Sequence, residues 1–194
     1  MFAPLPPPQR SNEHTHFGRA STPAATFFVT FVTAGRTPWL ESPAARDAML
    51  GALHDWHAEQ DGAVLAATVM PDHVQVLFEL GRRASVARCA SRWKIASRRL
   101  SGYAGDWDRD LWEYRLRRRD ELEEFGLYLF LKPHRAGLLP PIDRWRGWWM
   151  PEPGRFQFPE MLGPKGEPPS EWISWPEERF AGLAARKGKD RAGA

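Results

Sequence analysis

Residues Val64–Leu80 constrain the fold more than any other stretch. They read Val-Leu-Ala-Ala-Thr-Val-Met-Pro-Asp-His-Val-Gln-Val-Leu-Phe-Glu-Leu. Two apolar runs flank Met70-Pro71-Asp72-His73, and Pro-Asp is turn chemistry, so the stretch predicts two strands joined tightly. His73 begins the second strand. Side chains alternate along a strand, so His73 and Gln75 share one face while Val74, Val76 and Phe78 share the other. Two polar side chains at that spacing, beside a turn, can hold an ion or a phosphate. They can equally form a polar edge on a half-buried strand, the commoner role of a lone histidine.

At 194 residues the chain can bury one sizeable core and still carry extensions. Lys plus Arg is 27 and Asp plus Glu is 24, a net charge of +3, so the overall charge says little about partners. Cys89 is the single cysteine, which excludes an internal disulfide and with it a secreted disulfide scaffold. No apolar run reaches membrane-spanning length. The opening Met1-Phe-Ala-Pro-Leu-Pro-Pro-Pro8 lacks the basic and apolar regions of a signal peptide, so a reducing cytoplasm is expected.

In chain order, residues 1–23 are proline-rich and polar and predict a flexible arm. Thr26–Thr33 is β-branched and aromatic throughout, a central strand buried on both faces. Ser42-Pro43 opens a helix that buries Met49, Leu53 and Trp56 and ends at Asp61-Gly62, with glycine in a left-handed cap. The strand pair follows. Ser85 caps a second helix in which Val86, Cys89, Trp93, Ala96 and Leu100 form a buried stripe. Arg88, Arg92 and Arg99 lie on one side of that stripe, Lys94 and Arg98 on the other. No acidic residue falls between Ser85 and Ala104, and the set suits phosphate contact.

Leu111–Arg117 reads as a further strand, and Arg117, Arg118 and Arg119 extend the basic set. Asp120 with Glu123 resembles a capping box. The third helix runs through Leu122, Phe125, Leu129 and Phe130 and is expected to stop before Pro133, with Tyr128 in its last turns. Strand, helix, strand, strand, helix, strand, helix predicts an α+β fold: a ferredoxin-like antiparallel sheet with helices packed on one face. The main domain is placed at 24–146. Residues 147–194 form an irregular Trp/Pro-rich extension with a basic tail, expected to wrap over the core or to stack on a ligand.

Met70-Pro-Asp-His-Val-Gln-Val-Leu-Phe78 resembles the histidine motif of the HUH nucleases, and specifically of the REP-associated tyrosine transposases. The family pattern is Met-Pro-Asp/Asn-His-hydrophobic-His-hydrophobic-Leu, so Gln75 stands where the second histidine would be. Tyr128-Leu-Phe-Leu-Lys-Pro-His-Arg-Ala-Gly-Leu138 is similar to the family's Tyr-Ile-x-x-Asn-Pro-x-x-Ala-Gly-Leu, with Lys132 in place of asparagine. The likeness spans roughly residues 25 to 145 and implies the same ferredoxin-like fold. It also implies cleavage and rejoining of single-stranded or hairpin DNA through a phosphotyrosine link. The protein would be bacterial, cytoplasmic and nucleoid-associated, and a monomer or homodimer.

A side-chain oxygen must form the covalent link, and of Tyr103, Tyr114 and Tyr128 only Tyr128 lies in a matching motif. The resemblance makes His73 and Gln75 ligands of Mg²⁺ or Mn²⁺, and an amide oxygen suits those ions. The family's third ligand falls at Lys132. A charged ammonium has no lone pair, repels the ion, and can instead contact phosphate. Two alternatives stay open. One is a domesticated DNA-binding protein of the same fold that no longer cuts. The other is a ferredoxin-like RNA-binding module, although the expected aromatic ribonucleoprotein motif is missing.

Overall fold

The structure is a computed structural model that describes residues 24–59, 62–102, 106–117, 120–176 and 179. The arm before Ala24, Tyr103, Arg118, Arg119 and the basic tail lie outside the described residues. The chain divides into two compact units. One is a sheet unit that runs to Arg117 and takes in Arg146–Arg155; the other holds the helical segment up to Trp145 and the chain from Phe156 onward.

In the sheet unit the elements run β1 (Thr26–Val32), α1 (Pro43–Ala58), β2 (Gly62–Met70), β3 (His73–Leu80), α2 (Val86–Ser101), β4 (Trp112–Arg115) and β5 (Trp148–Trp149). The strands lie in the order β4-β1-β3-β2-β5, with every pairing antiparallel. The first four strands have the ferredoxin-like order, and the fold is α+β, as the sequence predicts. β5 adds a fifth strand beside β2, where Val69 N donates to Gly147 O at 2.8 Å. Two residues among prolines and glycines carry no alternation, so nothing in the sequence marks β5 as a strand.

β3 is the strand that the register turns on. It pairs with β1 (Val29 opposite Val76, Thr30 opposite Gln75) and with β2 (Val69 opposite Val74, Thr68 opposite Gln75). One face of the sheet carries Phe27, Val29, Phe31, Val64, Ala67, Val69, Val74, Val76 and Phe78. These form one buried cluster with Met49, Leu53 and Trp56 of α1 and with Val86, Cys89, Ala90 and Trp93 of α2. Phe31 sits at its centre, its ring 4.2 Å from that of Trp93 and 6.4 Å from that of Trp56.

The caps follow the sequence in part. Ser42 Oγ accepts from Ala45 N at 3.3 Å with Pro43 at the first turn, and Ser85 Oγ accepts from Arg88 N at 3.2 Å. Gly62 is not the left-handed cap of α1. The helix closes on Glu59 in right-handed geometry, and Gly62 starts β2, where a Cβ would come within 3.0 Å of Phe78 and 3.1 Å of Glu79 O. The glycine is there for close approach rather than for φ. In α2 the buried stripe ends at Ser97, one turn early, and Leu100 is exposed.

The second unit is built on α3 (Asp120–Arg135), with α4 (Ser170–Ile173) as its partner. The helix does not stop before Pro133; it carries the proline in its last turn. The missing N–H costs one hydrogen bond near an end where the ladder is already fraying. The turn then closes in a Schellman pattern: Leu138 N donates to Pro133 O at 3.1 Å, Gly137 N to His134 O at 3.0 Å, and Gly137 has φ +69°. Glu123 does not turn back to its own helix start. Its carboxylate accepts from Gln157 N at 2.9 Å and Phe158 N at 2.6 Å, so the extension is tied to α3. Arg135 Nη1 adds a bond to Trp175 O at 2.6 Å. No helix among the described residues is long and apolar enough to cross a membrane.

Gly126 on α3 lets the Phe156 ring lie against the helix backbone, since an added Cβ would fall 2.3 Å from Phe156 Cε1. Alanine improves helix propensity by about 1 kcal/mol. Overpacking of this kind costs ~1–3 kcal/mol, and here the clash is with a ring rather than a flexible chain end. Gly126→Ala is therefore expected to destabilise the protein by up to about 2 kcal/mol in urea unfolding, against the gain that propensity alone predicts.

Candidate functional site

The β2–β3 turn is fastened at both residues. Thr33 N donates to Asp72 O at 3.0 Å, its hydroxyl lies 2.9 Å from Asp72 O and 2.8 Å from Thr37 O, and Leu40 N donates to Pro71 O at 3.0 Å. Thr33 itself is fully buried. This fixes the backbone that projects Asp72 and His73. The Asp72 carboxylate divides its oxygens: Oδ1 lies 2.5 Å from His73 Nδ1, and Oδ2 accepts from Arg36 Nη1 at 2.8 Å. Half-burial raises the Asp72 pKa, but His73 and Arg36 outweigh it and hold the carboxyl at about 2. The imidazole therefore presents Nδ1–H to Asp72, and in the neutral ring the lone pair sits on Nε2, the carboxylate–histidine arrangement that supports metal ligation.

Gln75 lies on the same face as His73, and the register sets it in a row across all five strands: Trp112, Thr30, Gln75, Thr68, Trp148. Thr30, Gln75 and Thr68 are buried. Gln75 Nε2 donates to Thr30 Oγ1 at 3.3 Å. Among the described residues, Gln75 Oε1 and the neighbouring Thr68 Oγ1 are buried with no hydrogen-bond partner. A buried acceptor without a partner among the described residues, on β3 beside a histidine whose Nδ1 faces Asp72, fits a hard divalent ion such as Mg²⁺ or Mn²⁺. No group of three or more His, Cys, Asp or Glu among the described residues could hold a metal.

Tyr128 and Lys132 stand one turn apart on α3. Lys132 Nζ donates to Tyr128 Oη at 2.9 Å and lies 5.0 Å from the centre of its ring. The lysine is thus directed at the phenol oxygen by i, i+4 helix geometry. An ammonium in that position stabilises negative charge that develops on the oxygen.

The basic residues do not form one patch with His73. α2 packs on the Val74/Val76/Phe78 face of the sheet, opposite Gln75. Arg88 and Arg99 are exposed and have no carboxylate partner among the described residues. Arg92 pairs with Glu59 and Arg98 with Asp106, both at the surface. Lys94 is half-buried and donates to Asp108 O at 2.7 Å; burial, and next the Arg98 charge, lower its pKa. Arg117 follows β4 and is exposed. Sequence reasoning missed Thr30, Thr33, Arg36 and Thr68. Each is an ordinary strand or loop residue until the register places it.

No family model matches the sequence, and no curated protein matches it. Among solved structures, a REP-associated tyrosine transposase bound to a REP hairpin is similar with a TM-score of 0.61 and 16% identity, over 84% of this chain and 92% of that one. A candidate transposase from Deinococcus radiodurans is similar with a TM-score of 0.44 and 18% identity, over 56% of this chain and 92% of that one. The first likeness shows a shared fold.

Asp72 yields a pH test. Its pKa is depressed from 3.8 to about 2, so its contribution is present above pH 4 and is lost as pH falls through 2. The shift corresponds to roughly 2 kcal/mol. Asp72→Asn is expected to lower stability by about that amount at pH 7, and the two unfolding curves should converge as the pH approaches 2.

Proposed function

We propose that this protein is a transposase-like enzyme that binds single-stranded or hairpin DNA and breaks it by transesterification onto Tyr128. The observation that carries the reading is the Lys132 ammonium 2.9 Å from the Tyr128 hydroxyl, within a motif that resembles the family's nucleophile motif. The fold shared with a REP-associated tyrosine transposase bound to a REP hairpin supports DNA as the partner.

In this reaction the phenol loses its proton to solvent and Tyr128 Oη attacks phosphorus. The P–O3′ bond breaks, leaving a 5′-phosphotyrosine, and the departing 3′ oxygen gains a proton from solvent. Lys132 stabilises the phenolate-like oxygen from which attack starts, and reversal of the step rejoins the strand. His73 through Nε2 and Gln75 through Oε1 would hold Mg²⁺ or Mn²⁺, which supplies positive charge against phosphate oxygens. The exposed arginines of α2 add sequence-independent phosphate contacts on the helical side of the sheet. The second reading, a domesticated protein that binds without cutting, is favoured by one observation: Lys132 stands where the family has a ligand.

Adduct formation on a hairpin oligonucleotide separates these readings. Tyr128→Phe should abolish the covalent adduct and leave DNA affinity within a few-fold, because it removes only the reacting oxygen. Lys132→Asn should lower adduct formation about 100- to 1,000-fold, in the range of a lost transition-state donor. A rise instead would assign Lys132 to an impaired metal site, and no adduct from the unaltered protein would favour the non-cutting reading. Binding should weaken with salt at a log–log slope of about −3, for roughly four phosphates at ~0.7 each. A slope near zero in fluorescence anisotropy would remove the α2 arginines from the DNA interface.

A further inference from the structure

We infer that Thr68 is a third donor beside His73 and Gln75, that Thr30 positions Gln75 for it, and that the site takes its divalent ion together with a DNA phosphate rather than alone. This rests on the reading that His73 and Gln75 hold an ion.

Three observations carry it. Thr68 and Gln75 are direct partners across β2 and β3, so their side chains leave the same face of the sheet as immediate neighbours. Both are more than nine-tenths buried, and both Thr68 Oγ1 and Gln75 Oε1 lack a hydrogen-bond partner among the described residues. A hydroxyl and an amide oxygen side by side ordinarily satisfy each other; here neither does, and two adjacent buried orphans call for something that both can reach. Thr30, on the other side of Gln75, takes the amide N–H₂ at 3.3 Å. That contact turns the amide so that its oxygen, the atom able to ligate, faces away from Thr30. His73 follows two residues before Gln75 on the same face, its Nδ1 committed to Asp72.

The charge of this set decides how it fills. Imidazole, amide and hydroxyl are all neutral. Asp72, the carboxylate beside His73 in the turn, gives one oxygen to His73 and the other to Arg36. Mg²⁺ and Mn²⁺ are hard ions whose protein sites draw their affinity from anionic oxygens. These three donors bring the ion no counter-charge, and a phosphodiester supplies one. The set thus behaves as half a site that DNA completes.

The test uses full-length protein carrying Tyr128→Phe, so that DNA is bound and not cut, and reads Mn²⁺ binding by electron paramagnetic resonance, with and without a hairpin oligonucleotide and against the oligonucleotide alone. Mn²⁺ affinity should rise at least 10-fold when DNA is present. In that complex Thr68→Val should weaken Mn²⁺ at least 10-fold and Thr68→Ser should restore it to within about 3-fold. Thr30→Val should weaken it as well. Thr68→Val removes an unpaired buried hydroxyl, so its melting temperature should equal or exceed that of its parent, which separates a ligand role from a structural one. If Thr68→Val binds Mn²⁺ as its parent does while His73→Ala does not bind it, Thr68 is no donor and the proposal fails, though the His73–Gln75 ion site stands. If Mn²⁺ binds equally well without DNA, the coupling to phosphate is wrong. If no protein-dependent Mn²⁺ signal arises in either state, the ion site itself is wrong and this proposal falls with it.

Discussion

Thr33 is the residue on which the geometry around His73 depends. It lies just beyond β1, fully buried; its N–H ends on the carbonyl of Asp72, and its hydroxyl lies between the carbonyls of Asp72 and Thr37. A two-residue hairpin turn has few bonds of its own, and this one gains two backbone N–H bonds from outside, Thr33 N on Asp72 O and Leu40 N on Pro71 O. Holding the turn by its backbone leaves the side chains of Asp72 and His73 free to pair with each other. The ladder then transmits the position. β3 is bonded on both sides, so once Met70 is opposite His73, Thr68 must be opposite Gln75 and Thr30 must lie on its other flank. A slip of one residue would send His73 and Gln75 into the apolar cluster and Val74 and Val76 out of it.

A different kind of constraint acts on the Tyr128–Lys132 pair. Tyr128 and Lys132 need only a continuous helix to meet, because residues four apart share a face. Pro133 threatens that continuity directly after Lys132. The helix survives it because the proline falls in the last turn, and because Gly137 closes the end in a left-handed conformation that lets Leu138 bond back to Pro133. The segment Pro-His-Arg-Ala-Gly-Leu therefore has a local physical role: it ends a helix one turn beyond a tyrosine–lysine pair. Glu123 and Arg135, near either end of α3, bind backbone groups of the extension, so the tryptophan-rich segment is held by hydrogen bonds as well as by ring packing.

The β1, α1, β2–β3, α2, β4, α3 order was legible because each of those elements carries a strong local signal. Ser-Pro and Ser caps, a 3.6-residue apolar stripe, alternating runs and a Pro-Asp turn all act within a few residues. What failed was what local pattern cannot express. Gly62 reads as a helix cap in isolation, but its neighbour across the sheet, Phe78, is what requires it to lack a side chain. β5 exists because Gly147 meets Val69, not because Trp-Trp favours a strand. Leu100 completes an apolar repeat yet ends exposed, since periodicity gives a direction and not the length of the surface to be covered. Of the candidate site, His73, Gln75, Tyr128 and Lys132 were legible as motif positions. Thr30 and Thr68 were not, because a threonine in a strand is unremarkable until its partner is known.

The distribution of charge gives the arginines of α2 a meaning that composition could not. They lie on a helix whose apolar side covers one face of the sheet, while the neutral row of Thr30, Gln75 and Thr68 lies on the other. One phosphate cannot touch both. On the proposed DNA-binding reading, the two surfaces serve different terms of a binding free energy. Exposed arginines at a helix surface give long-range attraction that salt screens, and they carry no information about which phosphate is held. A buried row of neutral donors gives almost no attraction at a distance, but it fixes geometry once a ligand arrives, since burial strengthens each polar contact it makes. On that reading, affinity comes from the arginine-bearing side of the sheet unit and precision from the buried row. If the protein binds DNA as proposed, a substitution among the arginines should change affinity for any DNA, whereas one in the row should change it only when the divalent ion is present, through the coupling of ion and phosphate.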